Sequence, residues 1–366
     1  MTTKIKKLRI AMAGGWTGGH VFPIRSLLYF FKNNKDYVDQ VQKIYWFGSK
    51  KSLEQKICHE IQKEIKDKID FVSIYSWKYR RETYRKSKLK NIPDMFLFVM
   101  GIFQSLFYLL RYRIDVIFCK WWYVALPVVL AGALLRKKII VHESDTRPGL
   151  VNKIASRFAY KVFTGFDWAL NDSETIGQLL SDDIIVDLVP KNTKKTLVLV
   201  VGGSQWSQRL YEKLVHIFEN TSELEQSYEF LIALGFANEE MSTDFDKFHY
   251  VHTYGFLSQK EMGELYNKCD VVITRGGTTA LAEQKLYDIQ QIIVPIPWTH
   301  DQYDNAKRYV KNHGDISINQ RDDDFEDQLI KAIKNFKWFK KVPQKKDKKV
   351  IISKAKIAIR KSLLSM

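Results

Sequence analysis

The sequence predicts an α/β protein with two similar halves, each built on a parallel β-sheet. A chain of 366 residues is long for a single core and suits two domains. Fully apolar strands such as Leu197–Val201 are typical of a parallel sheet that helices cover on both faces. Such strands alternate with helical stretches along the chain, which indicates βαβ units.

One pattern occurs three times: a short apolar strand, a pair of glycines and then a helical stretch. The strands are Leu8–Ala13, Thr196–Val201 and Asp270–Thr274, and the glycine pairs are Gly14-Gly15, Gly202-Gly203 and Gly276-Gly277. Ligands bind at the carboxyl ends of parallel strands, and glycine lets the backbone approach a phosphate. The glycines also suit tight turns alone, but three such loops favour phosphate binding. The sequence lacks G-x-x-x-x-G-K-[ST], and its first loop lacks G-x-G-x-x-G, which disfavours a P-loop enzyme and a dinucleotide oxidoreductase.

Further strands complete the two halves. They are predicted at Ile44–Phe47, Val116–Cys119, Ile139–His142, Lys161–Thr164, Phe230–Leu234 and Gln291–Pro295. We expect an N-terminal domain of residues 1–166 and a C-terminal domain of residues 196–335. A polar connection of residues 167–195 separates them, and residues 336–366 form a basic C-terminal helix.

The third glycine loop carries the sharpest chemistry. Arg275 directly follows a strand, where it can pair with a phosphate. Thr278 and Thr279 are expected to cap the next helix. Glu283 lies one turn into that helix, where its carboxylate suits two adjacent ribose hydroxyls. The alternative for Glu283 is an ordinary surface glutamate.

A second polar segment follows the next strand, at the same predicted edge of the sheet. It contains Asp301 and Gln302, whose donors and acceptors suit the hydroxyls of a sugar. The alternative is a plain helix start with Asp301 as the N-cap residue.

Composition narrows the partners and the compartment. The formal net charge of +17 favours polyanionic partners, although a solvated basic surface is the alternative. The three cysteines are far apart and odd in number, which indicates a reducing compartment and fits neither disulfides nor a metal site. The N-terminal stretch lacks a secretory pattern. The longest apolar run is shorter than the roughly 20 residues that span a bilayer, so we expect a soluble or peripheral protein.

A basic and aromatic region points to a membrane surface. Trp77–Lys90 interleaves lysines and arginines with aromatic residues, and Met95–Leu110 follows with Arg111 and Arg113 behind it. The apolar run is shorter than the roughly 20 residues that span a bilayer. It suits either a buried helix or a helix on an anionic membrane. Single-stranded nucleic acid is disfavoured because no known nucleic-acid-binding pattern accompanies it.

Four motifs lie in a fixed order within residues 8–320. They are Gly18-Gly19-His20-Val21-Phe22-Pro23; His142-Glu143-Ser144-Asp145 with Pro148-Gly149-Leu150; Gly202-Gly203-Ser204-Gln205; and Arg275, Glu283, Asp301-Gln302 and Asn305-Ala306. In order and spacing they resemble the MurG family, the N-acetylglucosaminyltransferases of peptidoglycan synthesis. The resemblance implies a GT-B fold, in which two Rossmann-like domains with parallel sheets face a central cleft.

The resemblance assigns UDP-GlcNAc to the C-terminal domain. Phe256 and Leu257 would lie near uracil, and Glu283 would hold the ribose. The diphosphate and the sugar would face the remaining donor residues, which are Ser204, Gln205, Arg275, Thr278 and Thr279 for the diphosphate and Asp301 and Gln302 for the GlcNAc hydroxyls.

The N-terminal domain would bind the acceptor, lipid I (undecaprenyl-diphospho-muramoyl-pentapeptide), at the cytoplasmic face of the cell membrane. His20 is the candidate to deprotonate or orient the attacking hydroxyl. The further acceptor residues are Thr17, Gly18, Gly19, Tyr123 and Asp145. The protein would bind the anionic membrane surface peripherally. No nucleic acid is expected as a partner.

The implied reaction is an inverting displacement that yields lipid II. The muramoyl 4-hydroxyl attacks the anomeric carbon and UDP leaves, while positive charge and helix N-termini stabilise the diphosphate. No cofactor and no metal are expected, because UDP-GlcNAc is itself a substrate.

Two departures from the family pattern concern the acceptor side. Trp16 stands where many family members have a glycine in the first loop. Trp121-Trp122-Tyr123 stands where the family usually has Gly-Gly-Tyr. They keep open a related UDP-sugar transferase acting on another lipid acceptor. A non-catalytic UDP-sugar-binding protein at the membrane is a further alternative, against which His20, Arg275 and Glu283 argue.

Overall fold

The computed structural model divides the chain into two compact units. It describes residues 7–15, 18–34, 39–65, 68–76, 91–120, 123–167, 170, 172–203, 207–336 and 344–365, with backbone only for 91–94 and 300. The first unit comprises Met1–Leu179 and Ser353–Met366, and the second comprises Leu180–Ile352.

The first unit contains one parallel sheet of seven strands, in the order β3-β2-β1-β4-β5-β6-β7. The strands are β1 Leu8–Ala13, β2 Val41–Gly48, β3 Ile69–Ser73, β4 Val116–Cys119, β5 Lys138–Glu143, β6 Lys161–Thr164 and β7 Glu174–Thr175. The helices between them are α1 Gly18–Lys32, α2 Leu53–Glu64, α3 Asn91–Arg111, α4 Ala125–Leu134 and α5 Leu150–Ser156.

Both faces of this sheet are buried, as its apolar strands predict. In β1, Ile10 and Met12 face the core that α1 and α2 cover, whereas Ala11 and Ala13 face the core of α3 and α4. This alternation follows from the two-residue period of a strand.

The second unit contains a parallel sheet of six strands, in the order β10-β9-β8-β11-β12-β13. The strands are β8 Thr196–Val201, β9 Tyr228–Ala233, β10 Val251–Tyr254, β11 Val271–Thr274, β12 Gln290–Ile293 and β13 Ile316–Ser317. The helices that come after β8 in the chain are α6 Gln208–Asn220, α7 Leu224–Ser227, α8 Ser242–Phe245, α9 Gln259–Lys268, α10 Thr278–Lys285, α11 His300–His313, α12 Phe325–Lys334 and α13 Lys345–Leu364. Short 3-10 turns lie at Asp182–Ile184 and Phe236–Met241.

Helix α13 contributes to the cores of both units, each in its own stretch. Ile352 packs in a core of the second unit, and Ala355, Ile359 and Leu363 pack in the α1–α2 core of the first. The basic C-terminal stretch is therefore a folded helix with an apolar side.

The sequence pattern predicts the inner strands and does not predict β3, β7, β10 and β13. All four are edge strands of their sheets. Edge strands are not covered on all sides, so they keep polar residues such as Asp70 and His252 and lack a continuous apolar run.

Helix α3, which contains Met95–Leu110, is buried on one side only, so it is not the fully buried helix of the first alternative. Leu109 and Ser105 are buried on one side, while large apolar side chains on the other side are exposed. The exposed residues are Met95, Phe96, Val99, Met100, Phe103, Phe107 and Leu110. Within the described part of the chain, the helices are too short or too polar to cross a membrane.

Each sheet reverses its strand order at one point, and the glycine loops lie there. In the first sheet β1 and β4 are neighbours, and in the second β8 and β11 are neighbours. The chain leaves these paired strands in opposite directions, which opens a crevice at their carboxyl ends. The crevices are the natural places to look for ligand sites.

Candidate functional site

Helix α11 clamps the third glycine loop in the second unit. The Gln302 side-chain oxygen accepts hydrogen bonds from the backbone N–H groups of Gly276 (3.1 Å) and Ile296 (3.0 Å). Asn305 Nδ2 donates to the Gly276 carbonyl at 3.0 Å. A Cβ on Gly276 would lie 2.5 Å from the Gln302 carbonyl oxygen, so the close approach requires glycine. The loop is held rigidly, and the Gln302 amino group remains available as a donor.

Glu283 is a buried carboxyl group rather than a surface one. It is 6% exposed, in the second turn of α10, and within the described residues its oxygens accept no hydrogen bond. Burial raises its pKa to about 8, because desolvation disfavours the charged form. The surface-glutamate alternative is therefore wrong. A buried carboxyl without a hydrogen-bond partner costs free energy, which makes Glu283 a candidate for binding a ligand.

Arg275 is buried and bonded to protein groups. Its Nη1 donates to the Val294 carbonyl oxygen (3.1 Å) and to the Gln320 side-chain oxygen (2.8 Å). Burial lowers its pKa to about 10, so the guanidinium stays charged at neutral pH. Arg275 thus ties the ends of β11 and β12 together and adds positive charge beneath the loop. Its contact with a phosphate stays a prediction.

The N-terminus of α10 differs from the expected cap. The N-cap residue is Gly277, and Thr278 and Thr279 are the first two helical residues, so the prediction that these threonines cap the helix is wrong. Likewise the N-cap residue of α11 is Thr299, which excludes Asp301 from that role. Gly277 provides no side-chain cap, so the positive end of the α10 dipole is not countered by a capping side chain and suits an anion.

The second glycine loop needs its glycines for backbone reasons. Ser207 Oγ donates to the Gly202 carbonyl, and a Cβ on Gly202 would collide with Ser207 and with the Tyr211 hydroxyl. Gly203 has φ +81°, a conformation that favours glycine. The predicted residues Ser204 and Gln205 lie outside the described residues.

An exposed aromatic pair lies beyond β9 and β10. Phe256 is 54% exposed and stacks on Phe236, which is 73% exposed, with ring centroids 4.4 Å apart and planes 9° from parallel. Leu257 is half-buried. Sequence reasoning missed Phe236, although its place directly after Gly235 at a strand end was a usable signal.

In the first unit, Gly18 and Gly19 open helix α1 and His20 follows. A Cβ on Gly14 would lie 2.6 Å from the Lys120 carbonyl oxygen, so the loops after β1 and β4 approach closely. His20 is 9% exposed, and burial together with the nearby Lys120 charge lowers its pKa to about 3. The imidazole is neutral at physiological pH and is a weak base. It suits hydrogen bonding to a hydroxyl better than full proton removal.

Lys120 is a buried amine that sequence reasoning missed. Its Nζ lies 2.9 Å from His142 Nδ1 and bonds the Ser144 hydroxyl. His142 Nε2 lies 2.9 Å from the Gly177 carbonyl oxygen, so Nε2 donates and Nδ1 accepts from the lysine. Burial lowers the pKa of Lys120 to about 8. A lysine directly after a fully apolar strand was the signal.

Glu143 fixes the loop that carries Asp145. Its carboxylate accepts from the backbone N–H of Asp145 (2.8 Å) and Gly149 (3.1 Å) and from Asn152 Nδ2 (2.9 Å). Burial, and then the negative charge of Asp145, raise its pKa to about 7. Asp145 is half-buried in this loop, and Tyr123 is half-buried just before α4. Thr17, Trp16 and Trp121-Trp122 lie outside the described residues, as does Trp77–Lys90.

The structure places some of the predicted residues around one glycine loop in each unit. The second unit holds Arg275, Thr278, Thr279, Glu283 and Gln302 at the loop after β11 and helix α11, with Asp301 exposed at the start of α11. The first unit holds Gly18, Gly19 and His20 at the loop after β1. In the described part of the chain, no three His, Cys, Asp or Glu side chains cluster as a metal site would require.

Family models match both halves of the chain. The glycosyltransferase family 28 N-terminal domain matches residues 10–164, and the glycosyltransferase family 28 C-terminal domain matches residues 197–361.

Two curated relatives carry one name, UDP-N-acetylglucosamine--N-acetylmuramyl-(pentapeptide) pyrophosphoryl-undecaprenol N-acetylglucosamine transferase. The protein of Borrelia garinii subsp. bavariensis is 28% identical over 342 residues, which cover 90% of this chain and 88% of the relative. The protein of Staphylococcus aureus strain MRSA252 is 31% identical over 316 residues, covering 82% of this chain and 83% of the relative.

Solved structures share the fold. Acinetobacter baumannii MurG superposes with a TM-score of 0.66 at 19% identity, covering 98% of this chain and 100% of that one. The spinosyn rhamnosyltransferase SpnG, complexed with thymidine diphosphate, gives a TM-score of 0.66 at 13% identity, with 97% and 99% covered. At these identities the likeness concerns the fold alone.

Proposed function

The chain belongs to the MurG family within glycosyltransferase family 28, and we propose that it transfers N-acetylglucosamine from UDP-GlcNAc to lipid I, giving lipid II. The single observation that carries the donor assignment is Glu283. Its buried carboxyl has no hydrogen-bond partner among the described residues, and two ribose hydroxyls would supply the missing donors.

The donor diphosphate would lie at the glycine loops of the second unit. The N-terminus of α10, which the clamp on Gly276 holds in place, would turn the positive end of its helix dipole toward the diphosphate, and Arg275 adds positive charge beside it. These groups are fixed before the reaction, so they stabilise the charge on the leaving UDP without reorganisation. Asp301 and Gln302 at the start of α11 would bind the sugar hydroxyls.

The acceptor would bind in the first unit, where His20 orients the attacking hydroxyl. Because its pKa is low, the neutral imidazole would accept a hydrogen bond from the hydroxyl and align it. It would take the proton only after the bond to the anomeric carbon has largely formed. The negative charge of a bound diphosphate raises the pKa of a nearby imidazole, which would make His20 a better base in the complex. Gly18, Gly19, Tyr123 and Asp145 remain the proposed acceptor contacts, together with Thr17.

Helix α3 would hold the enzyme on the membrane that carries the acceptor. Its exposed residues, which include Phe96, Phe103 and Phe107, recur every three or four positions and form one stripe. Arg111 and Arg113 are exposed at the end of this helix. An apolar stripe beside basic residues suits an anionic bilayer, and we propose a peripheral enzyme at the cytoplasmic face.

The alternatives from the sequence gain no support. The two curated relatives, which match 90% and 82% of this chain, are named N-acetylglucosamine transferases with N-acetylmuramyl-(pentapeptide) pyrophosphoryl-undecaprenol in the name, which favours neither another lipid acceptor nor a non-catalytic binder.

The test is a transfer assay with labelled UDP-GlcNAc and lipid I. The purified protein should form labelled lipid II and release UDP, and Glu283→Ala should lose most of this activity through weaker donor binding. Glu264→Ala, on helix α9, is the matched control. Transfer to another lipid but not to lipid I, or donor binding without turnover, would contradict the assignment.

A further inference from the structure

The stacked pair Phe236 and Phe256 is the most exposed aromatic cluster near the second glycine loop. Phe236 follows Gly235, which has φ +70°, and a Cβ on Gly235 would lie 4.0 Å from the Gly203 carbonyl oxygen. The turn after β9 therefore lies against the loop after β8. Phe256 follows Gly255 at the end of β10. The two residues that follow these strands thus stack their rings face to face, close to the proposed diphosphate loop.

The geometry of the pair decides where a third ring can stack. The centroids of the two rings are 4.4 Å apart. A base inserted between them would need a separation of about 7 Å, twice the optimal carbon contact of about 3.5 Å. The space between the rings is therefore closed, and a base stacks on an outer face.

We propose that Phe236 is a positioning residue for the nucleotide base, acting through Phe256. Phe236 backs the Phe256 ring and fixes its plane, so that the uracil of the donor stacks on the opposite face of Phe256. Without this backing, an exposed side chain such as Phe256 samples several rotamers, and the base loses its preorganised surface. The proposal rests on the donor site proposed above for the second unit.

The experiment compares ligands with and without a base. UDP and inorganic diphosphate are titrated by calorimetry into wild type, Phe236→Ala, Phe236→Tyr, Phe256→Ala and the double variant. Phe236→Ala should weaken UDP binding about threefold to tenfold, the value of an aromatic stacking contact. Diphosphate binding should not change, and Phe236→Tyr should restore UDP binding. The double variant should be no weaker than Phe256→Ala, because Phe236 acts only through Phe256.

Kinetics supply a readout that a general loss of structure would not give. Phe236→Ala should raise the KM for UDP-GlcNAc while kcat stays the same, and Phe158→Ala, an exposed ring of the first unit, should change neither. Wild-type UDP affinity in Phe236→Ala would overturn the inference. Additive losses in the double variant would also overturn it, since they indicate a direct contact of Phe236. Failure of the wild type to bind UDP would instead overturn the proposed function.

Discussion

The ammonium of Lys120 lies 2.9 Å from Nδ1 of His142, and both side chains are fully buried in the first unit. Burial lowers the pKa of Lys120 to about 8, whereas the nearby charges of Glu143 and Asp145 favour its protonated form. The Lys120 charge lowers the pKa of His142 and of His20 in addition to the effect of burial. Burial and this charge together favour a neutral His20.

Lys120→Met should raise the pKa of His20 and of His142. The sign follows from removing a positive charge that opposes imidazole protonation, and both pKa values should stay below 6.5 because burial persists. Histidine-selective NMR titration measures both shifts. The exposed Lys50→Met is the control, and equal titration of the wild type and Lys120→Met would contradict the electrostatic role.

UDP binding near pH 7 should release about one proton from Glu283. With a pKa of about 8 the carboxyl of the free enzyme is mostly protonated at pH 7, whereas two ribose hydroxyls bind best to the carboxylate. Calorimetry in buffers with different ionisation enthalpies counts the proton. Glu283→Gln should release none, and UDP binding by wild type without proton release would exclude a carboxylate that accepts both ribose hydroxyls.

Glu283 should also make the free protein less stable as the pH rises. Its pKa is near 4.5 when unfolded and about 8 when folded, so between these values the folded state binds more protons. Below about pH 4.5 Glu283 is protonated in both states and does not lower the unfolding free energy. As the pH rises toward 8, the unfolded state ionises first and the unfolding free energy falls. Glu283→Gln should be more stable than wild type at pH 8, on the order of 4 kcal/mol, with little difference at pH 4.5. Urea denaturation at both pH values measures this, and a constant difference would refute it.

Gly276→Ala and Gly277→Ala form a matched pair. The first adds a Cβ 2.5 Å from the Gln302 carbonyl oxygen, whereas the second adds a Cβ with no atom within 4 Å. Gly276→Ala should lower the unfolding free energy by about 1–3 kcal/mol through steric strain. Gly277→Ala should cost no more than about 1 kcal/mol, for the N-cap. Denaturant melts decide between them, and equal costs would show that α11 does not clamp the loop.

Replacing Phe103 and Phe107 by serine should weaken binding to vesicles that contain anionic lipid by about a hundredfold, since each ring buried in the interface is worth about 1.5 kcal/mol or more. Both side chains are exposed, so the unfolding free energy should hardly change. Added salt should weaken the binding further by screening Arg111 and Arg113. Vesicle sedimentation measures the affinity, with Phe158→Ser as the control. Unchanged binding of the double variant would contradict the proposal that α3 contacts the membrane.

The sequence by itself determined the architecture and the positions of the glycine loops. Inner strands such as β1 and β8 are fully apolar because helices cover both faces of a parallel sheet, and this pattern is visible in one dimension. The glycine pairs mark the strand ends because only glycine allows the close approach of Gly14 to Lys120 and of Gly276 to Gln302. The four edge strands were not predicted, because a strand at the edge of a sheet is only partly covered by its neighbours and can therefore keep polar residues.

Only the tertiary structure decided what the polar side chains do. Spacing alone favoured a surface position for Glu283 and predicted a phosphate contact for Arg275. Burial and hydrogen bonding depend on elements distant in sequence: Gln320 and the Val294 carbonyl accept from Nη1 of Arg275, and the folded core desolvates Glu283. The stacking of Phe236 on Phe256 and the Lys120–His142 contact arise in the same way. Periodicity records which face of an element is apolar, whereas the partner of a polar atom is fixed only when the elements pack.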